Sequence, residues 1–567
     1  MNMFGNWGST LRKNSLSLVL SMLLPTFGIS NSVMAAEQIH ASYSALEISI
    51  PISILESYAK HGIINADLAG YYQYIPAHKL QELRNILMQP LRISPSVASQ
   101  FLDTQQGKFI LQRLTELIKT SSHPKESEFQ ALRTALIAAA AEPEGLNLLN
   151  LLRKYPQKSI SIDVASGMQI ADELEKMISE TEKAISTIIQ ASHLEAATIS
   201  LENLSQLSEL SNQPNLLTQK QTLQLFDSIR NRHLSTDIYI PNTLQPAPVI
   251  VISHGLGLDS SNFRYLANYL AKNGFAVVIP NHPGSDAKQL QSLIKRNSNQ
   301  VAHPNEFKDR PLDIKYILDQ LGSDSRFQHR LNLQQVGVFG QSLGGYTALA
   351  LVGAKINFEQ LKQDCHAEKV RNTWNMSLLL QCRALELPNQ SGKEDNLQDQ
   401  RIKAAIAVNP ITSSIFGQAG LSQIHTPVMI IGSSEDTVAP ALYEQILPFS
   451  WITYPQKYLV MLLGATHFST IGNSNPGSTQ IALSTDMVGD VFQAQHYMNA
   501  LSLPFFQTYV AKKPEYLPYL NAAYAQSISS QSLGLNLVQS LDHLKLAPAL
   551  DDHSPETNPV KKNFPIP

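Results

Sequence analysis

Gly340-Gln341-Ser342-Leu343-Gly344 places one serine between two glycines. The apolar run Gln335–Phe339 precedes it, and Gly345-Tyr346-Thr347-Ala348-Leu349-Ala350-Leu351, a good helix, follows. A strand that turns sharply into a helix presents such a serine at the tip of the turn. The flanking glycines leave room where side chains would collide. The helix that starts there aims unpaired N–H groups at any negative charge that develops beside the serine. That pattern suits nucleophilic attack by a hydroxyl. A hydroxyl is a poor nucleophile near neutral pH, so it needs a base, and the base needs an orienting acid.

Downstream, Pro427–Ile431 and Gly432 read as a strand, and Ser433 to Pro440 as the loop after it. Asp436 therefore falls just past a strand's C-terminal end, where catalytic groups gather in open α/β sheets; Glu435 is the alternative acid. Tyr458–Leu463 reads as the next strand and leads into Gly464-Ala465-Thr466-His467-Phe468. Of the 16 histidines, His467 is the one at that place: His425 precedes the acid and His496 lies within an expected helix. An oxyanion site needs two backbone donors. The N–H of Leu343 is one candidate. The N–H of Leu256 is the other, in the turn His254-Gly255-Leu256-Gly257 that follows Val249–Ser253. The His254 side chain reads as a prop for that turn. Asn281 to Ser285, after another strand end, reads equally as a site-lining loop or a plain one.

The elements that position these residues are legible from about residue 235. Apolar runs at Thr236–Ile240, Pro248–Ile252, Phe275–Ile279, Gln335–Phe339, Ile402–Val408, Pro427–Ile431 and Tyr458–Leu463 alternate with helical stretches. Near-uniform Val, Ile, Leu and Ala suits strands buried on both faces, hence a mostly parallel sheet between helices. Helices are expected at Asn262–Lys272, Pro311–Leu321, Gly344–Val352 and Gln493–Leu503. Upstream, helical spacing dominates, as in Leu80, Leu83, Ile86, Leu87 and Phe109, Leu111, Leu114, Ile118. The expected organisation is a signal peptide over 1–35, an all-helical N-terminal domain over 36–160, and a helical linker or cap insertion over 161–230. A catalytic α/β domain follows over 231–510, then C-terminal helices and a disordered tail over 511–567. The stretch 354–400 has no readable fold.

Arg12 and Lys13, the apolar run Leu16–Leu24 and the small residues up to Ala36 describe a secretory signal, too short to span a membrane. Export to the periplasm or beyond is the expectation. Cys365 and Cys382 are the only cysteines. An oxidising compartment favours a bridge between them, with two buried thiols as the alternative. Their spacing does not suit a metal site, and the chemistry calls for no cofactor. Net charge is -3 and there is no basic stripe, so nothing points to nucleic acid.

From about residue 235 to 510 these motifs make the chain resemble the α/β-hydrolase superfamily. His254–Gly257 and Gly340–Gly345 resemble its platelet-activating-factor acetylhydrolase and dienelactone-hydrolase-like branches. Dienelactone hydrolases proper use a cysteine where Ser342 stands, which argues against that activity. The acetylhydrolase likeness implies short-acyl or oxidised phospholipid esters. The loop before Pro440 resembles the acid loop of the superfamily, which favours Asp436 over Glu435. Tyr43–Ile50, Ala131–Leu136 and Pro143–Gly145 resemble an uncharacterised domain found ahead of α/β hydrolases in bacterial proteins. The expectation is an exported serine hydrolase of carboxylic esters, its substrate a small-molecule or lipid ester. Ser342 would be the nucleophile, His467 the base and Asp436 the orienting acid. The alternative is a non-catalytic protein that uses this fold to bind an apolar ligand or partner. A third idea makes the N-terminal helices a lid, or a peripheral membrane contact, for lipid substrates. Oligomeric state is not readable.

Overall fold

The computed structural model describes residues 36–546 apart from 44–45, 64–80, 82–83, 86, 91–94, 104, 120–124, 200–214, 296, 299, 388–395, 473–488 and 542–545. The segment read as a signal peptide and the tail from about Leu550 lie outside the described residues.

The N-terminal region is not all-helical. Gln38–Tyr43 (β1), Leu46–Pro51 (β2), Ile118–Lys119 (β3) and Ser159–Asp163 (β4) form a four-stranded sheet in the order β2-β1-β4-β3. β1 runs parallel to β4, and the outer pairs are antiparallel. The cause is period-two alternation in short segments, Ile48 and Ile50 about Ser49, and Ile160 and Ile162 about Ser159 and Ser161. Such brief signals are outweighed by the longer leucine-rich stretches around them. Helices Pro95–Asp103, Gln105–Leu117 and Lys125–Ala140 contribute Ala98, Leu102, Leu111, Leu132, Ala135 and Leu136 to this module's core.

The stretch expected as a helical linker or cap insertion is helical in its first part and ends in the strand Thr218–Asp227. Val164–Ala197 is one helix of 34 residues, its start capped by Asp163, which accepts the Ser166 N–H at 3.1 Å. Ala184, Ile185 and Ile188 of this helix are buried in the core of the second sheet. Glu180 on the same helix accepts a hydrogen bond from Tyr443 at 2.7 Å. The helix is thus a strut that joins the two modules.

The second sheet has nine strands, beginning with Thr218–Asp227 (β5), Arg232–Pro241 (β6), Ala247–Ser253 (β7), Ala276–Pro280 (β8) and Leu331–Gln341 (β9). Ile402–Val408 (β10), Val428–Ser433 (β11), Lys457–Leu463 (β12) and Gly534–Val538 (β13) complete it. The order is β13-β12-β11-β10-β9-β7-β8-β6-β5. β8, β7, β9, β10, β11 and β12 are mutually parallel; β5, β6 and β13 are antiparallel additions at the two edges. β5 and β13 therefore carry the sheet beyond both expected limits, 231 and 510. Edge strands are half-polar and short of apolar residues, which is why their runs did not stand out. β5, for one, exposes Gln219, Lys220 and Gln224.

Two cores flank this sheet. One face buries Ile314, Leu318, Tyr346 and Phe416, the other Phe263, Leu266, Phe505 and Phe506. Each fully buried phenylalanine contributes roughly 2–3 kcal/mol by removal from water. The modules meet beside the C-terminal ends of the parallel strands. Helix Pro95–Asp103 packs on Ala287–Ile294, and Phe109 and Ile110 pack on Leu379. Arg113 pairs with Glu173 at 2.7 Å and lies 4.9 Å from the Trp374 ring centroid. The formerly unreadable stretch folds as short helices Phe358–Asp364, Ala367–Arg371 and Met376–Cys382, and Cys365 is disulfide-bonded to Cys382.

Candidate active site

β9 ends at Gln341 and the helix Leu343–Leu351 begins two residues later, so Ser342 is the hinge between them. Its backbone sits at φ 56°, ψ -119°. A non-glycine residue held there stores strain of about 1–3 kcal/mol. The turn closes only because its glycines lack side chains. A Cβ on Gly340 would fall 1.9 Å from the Gly344 carbonyl oxygen, and one on Gly344 would fall 2.0 Å from that of Ser253. The second approach locks the elbow against the end of β7, and so against the His254–Gly257 turn.

The structure brings together the three side chains named from the sequence. His467 Nε2 lies 2.9 Å from Ser342 Oγ, and His467 Nδ1 lies 2.6 Å from Asp436 Oδ2. A carboxylate can only accept, so Nδ1 carries the proton and Nε2 is free to take one from the serine. The other carboxylate oxygen accepts the N–H groups of Val438 and Ala439 at 2.9 and 2.7 Å, which fixes the acid. Glu435 makes no bond to the histidine; its backbone N–H donates instead to Ala465, and burial raises its carboxyl pKa. The acid and base loops are further joined by the Gly464 N–H, which donates to Ser434 Oγ at 2.8 Å. Ser342 keeps 9% of its surface exposed, His467 4% and Asp436 5%.

The N–H groups of Leu256 and Leu343 have no acceptor among the described residues. Leu343 directly follows the serine, and the turn that carries Leu256 starts where Gly344 closes on the Ser253 and His254 carbonyls. Gly257 adopts φ 72°, and a Cβ there would meet Leu290 at 2.9 Å. The turn is thus held on its outer side by helix Ala287–Ile294. On the acid side, the Ser377 N–H donates to the Val438 carbonyl at 2.9 Å. Both braces lead to the helices that meet the N-terminal module.

Sequence reasoning missed two amides. Gln341 Nε2 and Asn409 Nδ2 donate to the His467 carbonyl at 3.1 and 3.3 Å. Asn409 directly follows β10, so the strand-end rule that found Asp436 and His467 applied to it too. Gln341 carried no separate signal. Also missed was a buried cluster behind the Leu256 turn, in which Ser253, His282 and Asp313 form a second hydrogen-bonded chain. His282 comes from the Asn281–Ser285 loop, whose role the sequence left open. Burial above all lowers the His282 pKa to about 4, so the ring is neutral. Among the described residues, no group of three or more His, Cys, Asp and Glu side chains could hold a metal ion, and no helix is long and apolar enough to cross a membrane.

Residues 248–357, from β7 through the serine elbow, match a family described as "alpha/beta hydrolase fold". Residues 35–163, the N-terminal module, match one described as "Alpha/beta hydrolase of unknown function (DUF1400)". No curated protein matches the chain. A mixed sheet with a parallel centre, helices on both faces and these two matches support a place for the chain in the α/β-hydrolase superfamily, and with it a hydrolase activity.

Proposed function

We propose that the protein is an exported serine hydrolase of carboxylic esters. Ser342 Oγ attacks the ester carbonyl while His467 Nε2 takes its proton. Asp436 holds the imidazole in the required tautomer and stabilises the imidazolium. The N–H groups of Leu343 and Leu256 receive the oxyanion. His467 then returns the proton to the departing alcohol, leaving an acyl-enzyme. Water, deprotonated by the same histidine, releases the acid and restores the serine.

One observation carries this reading: an unbroken Ser342–His467–Asp436 hydrogen-bond chain that ends on a serine held in a strained turn. A protein that merely binds an apolar ligand gains nothing from that strain. Export is supported by the basic and apolar N-terminus and by the Cys365–Cys382 bridge, which suits an oxidising compartment. Lipid esters with short acyl chains are the proposed substrates, on the likeness of the His254–Gly257 and Gly340–Gly345 motifs to acetylhydrolases.

The test is hydrolysis of p-nitrophenyl esters of graded chain length by the parent and by Ser342→Ala. The parent should favour short acyl groups, and the variant should lose several orders of magnitude in turnover. Parent-like rates in the variant would overturn the assignment.

A further inference from the structure

The donor on Leu256 belongs to the peptide group whose carbonyl is that of Gly255. In a trans peptide the C=O and N–H point in opposite directions, so whatever fixes the carbonyl aims the N–H. Every described peptide here is trans. His254 Nδ1 lies 2.7 Å from the Gly255 oxygen. The ring's other nitrogen accepts the His282 backbone N–H at 3.1 Å, so Nδ1 must be the protonated one and donates. A hydrogen bond to the carbonyl also polarises the N–H on the far side of the same peptide.

Arg310, on helix Glu306–Ser323, closes the arrangement from behind. Its Nη1 donates to the His254 carbonyl at 2.5 Å. Its Nη2 lies 3.5 Å from the Gly255 oxygen and 3.3 Å from that of Ser285, and its Nε donates to Ser285 Oγ at 2.8 Å. The Ser285 carbonyl in turn accepts the Gly257 N–H at 2.9 Å. The guanidinium therefore reaches three loop carbonyls with a planar fork no lysine can imitate. The His254 and Arg310 side chains are both fully buried, Arg310 being the largest such residue among the described residues. Burial and the neighbouring Arg310 cation hold His254 neutral, so the ring is a fixed donor, not a proton carrier. An apolar side chain in place of Arg310 would fill the space without the desolvation cost of a buried cation. Filling space is therefore a poor account of it.

We propose that His254 and Arg310 are positioning residues that aim and polarise the Leu256 N–H as an oxyanion donor. The inference rests on the esterase reading above. Arg310→Met and His254→Phe preserve bulk and remove the donors. Each is compared with the parent for kcat and KM on p-nitrophenyl butyrate, and for inhibition by a trifluoromethyl ketone, which forms a tetrahedral adduct that needs the same donor. Losing one oxyanion donor outright costs about 10²–10³ in kcat, so a mis-aimed one should cost about 10–100-fold. KM should stay within about threefold of the parent, because only the transition state uses the donor, and ketone affinity should fall in step with kcat/KM. Loss through misfolding would lower the fraction of active protein and leave ketone affinity per active site unchanged. Should Arg310→Met not fold, Ser285→Ala removes the acceptor of its Nε, together with the Ser285 Oγ bond to Glu306, and should show a smaller shift of the same kind. Folded variants with parental kcat and parental ketone affinity would overturn the inference. If Ser342→Ala is inert in the same assay, that result leaves the esterase reading standing; if Ser342→Ala is active, the esterase reading is what fails.

Discussion

The structure holds two serine–histidine–aspartate chains, and only one has the features expected of a catalytic centre. Ser342, His467 and Asp436 are linked at 2.9 and 2.6 Å. Ser253, His282 and Asp313 are linked at 3.0 and 3.0 Å. By distance alone the two are interchangeable. They differ in everything around the serine. Ser342 sits at a strained turn on a helix N-terminus, partly exposed, beside unengaged N–H groups. Ser253 is the last residue of β7, in a buried strand, with no exposed surface. Asp436 is held by two backbone N–H groups, whereas Asp313 is locked by Arg230 and Arg232 at 2.8 and 2.7 Å. On the proposed reading, access, strain and free backbone donors mark the catalytic chain, and the same three side-chain types without them make a structural strut.

The sharpest way to break this comparison is to remove each serine hydroxyl. Ser342→Ala should lower kcat on p-nitrophenyl butyrate by about 10³–10⁶, while Ser253→Ala should stay within about tenfold of the parent. Comparable losses in both would erase the distinction. The acids should separate next. Asp436→Asn should cost about 10³–10⁴ in kcat through the wrong tautomer, with little change in thermal stability. Asp313→Asn should act mainly on stability, by about 1–3 kcal/mol in denaturant unfolding, because it weakens the pairing of two arginines that keep Asp227, Glu306 and Asp309 as partners. Reversed outcomes would exchange the two roles.

The histidines sharpen the contrast through pH. Burial, as the larger influence, lowers the His282 pKa from 6.5 to about 4 in the folded protein, so between those values the unfolded chain binds a proton that the folded one excludes. Stability contributed by the neutral ring is intact above about pH 6.5 and declines as pH falls towards 4. The melting temperature should therefore drop over that window, and less steeply in His282→Phe after allowance for its lower starting value. Equal slopes would remove His282 from the account. The smallest effect expected is at the amides that hold the base: Asn409→Ala should reduce kcat by about tenfold at most, because Gln341 still anchors the His467 carbonyl. A drop as large as that of Asp436→Asn would give Asn409 a more direct part.

How far the sequence reached follows from where the signals lie. The parallel strands are buried on both faces, so their Val-, Ile- and Ala-rich runs stood out, and the loops after them yielded Ser342, Asp436 and His467. The elements that escaped are those whose partners are remote. β1, β2 and β4 are short alternating segments between stronger helical patterns, and the pairing of β1 with β4 joins residues more than 100 positions apart, as in Gln38 with Ser159. β13 is recognisable as a strand only beside β12. The second triad escaped for a similar reason: Ser253, His282 and Asp313 come from a strand end, a loop and a helix interior, and no spacing relates them. Arg310 stands one residue before the helix expected at Pro311–Leu321, and nothing in the residues around it signals burial. Its full burial is a tertiary fact.

The most direct test of the central claim is covalent. The intact parent protein, treated with a fluorophosphonate and digested, should carry one phosphonyl group on the peptide containing Ser342, in proportion to lost esterase activity. A modified Ser253, or full loss of activity with Ser342 unmodified, would contradict it.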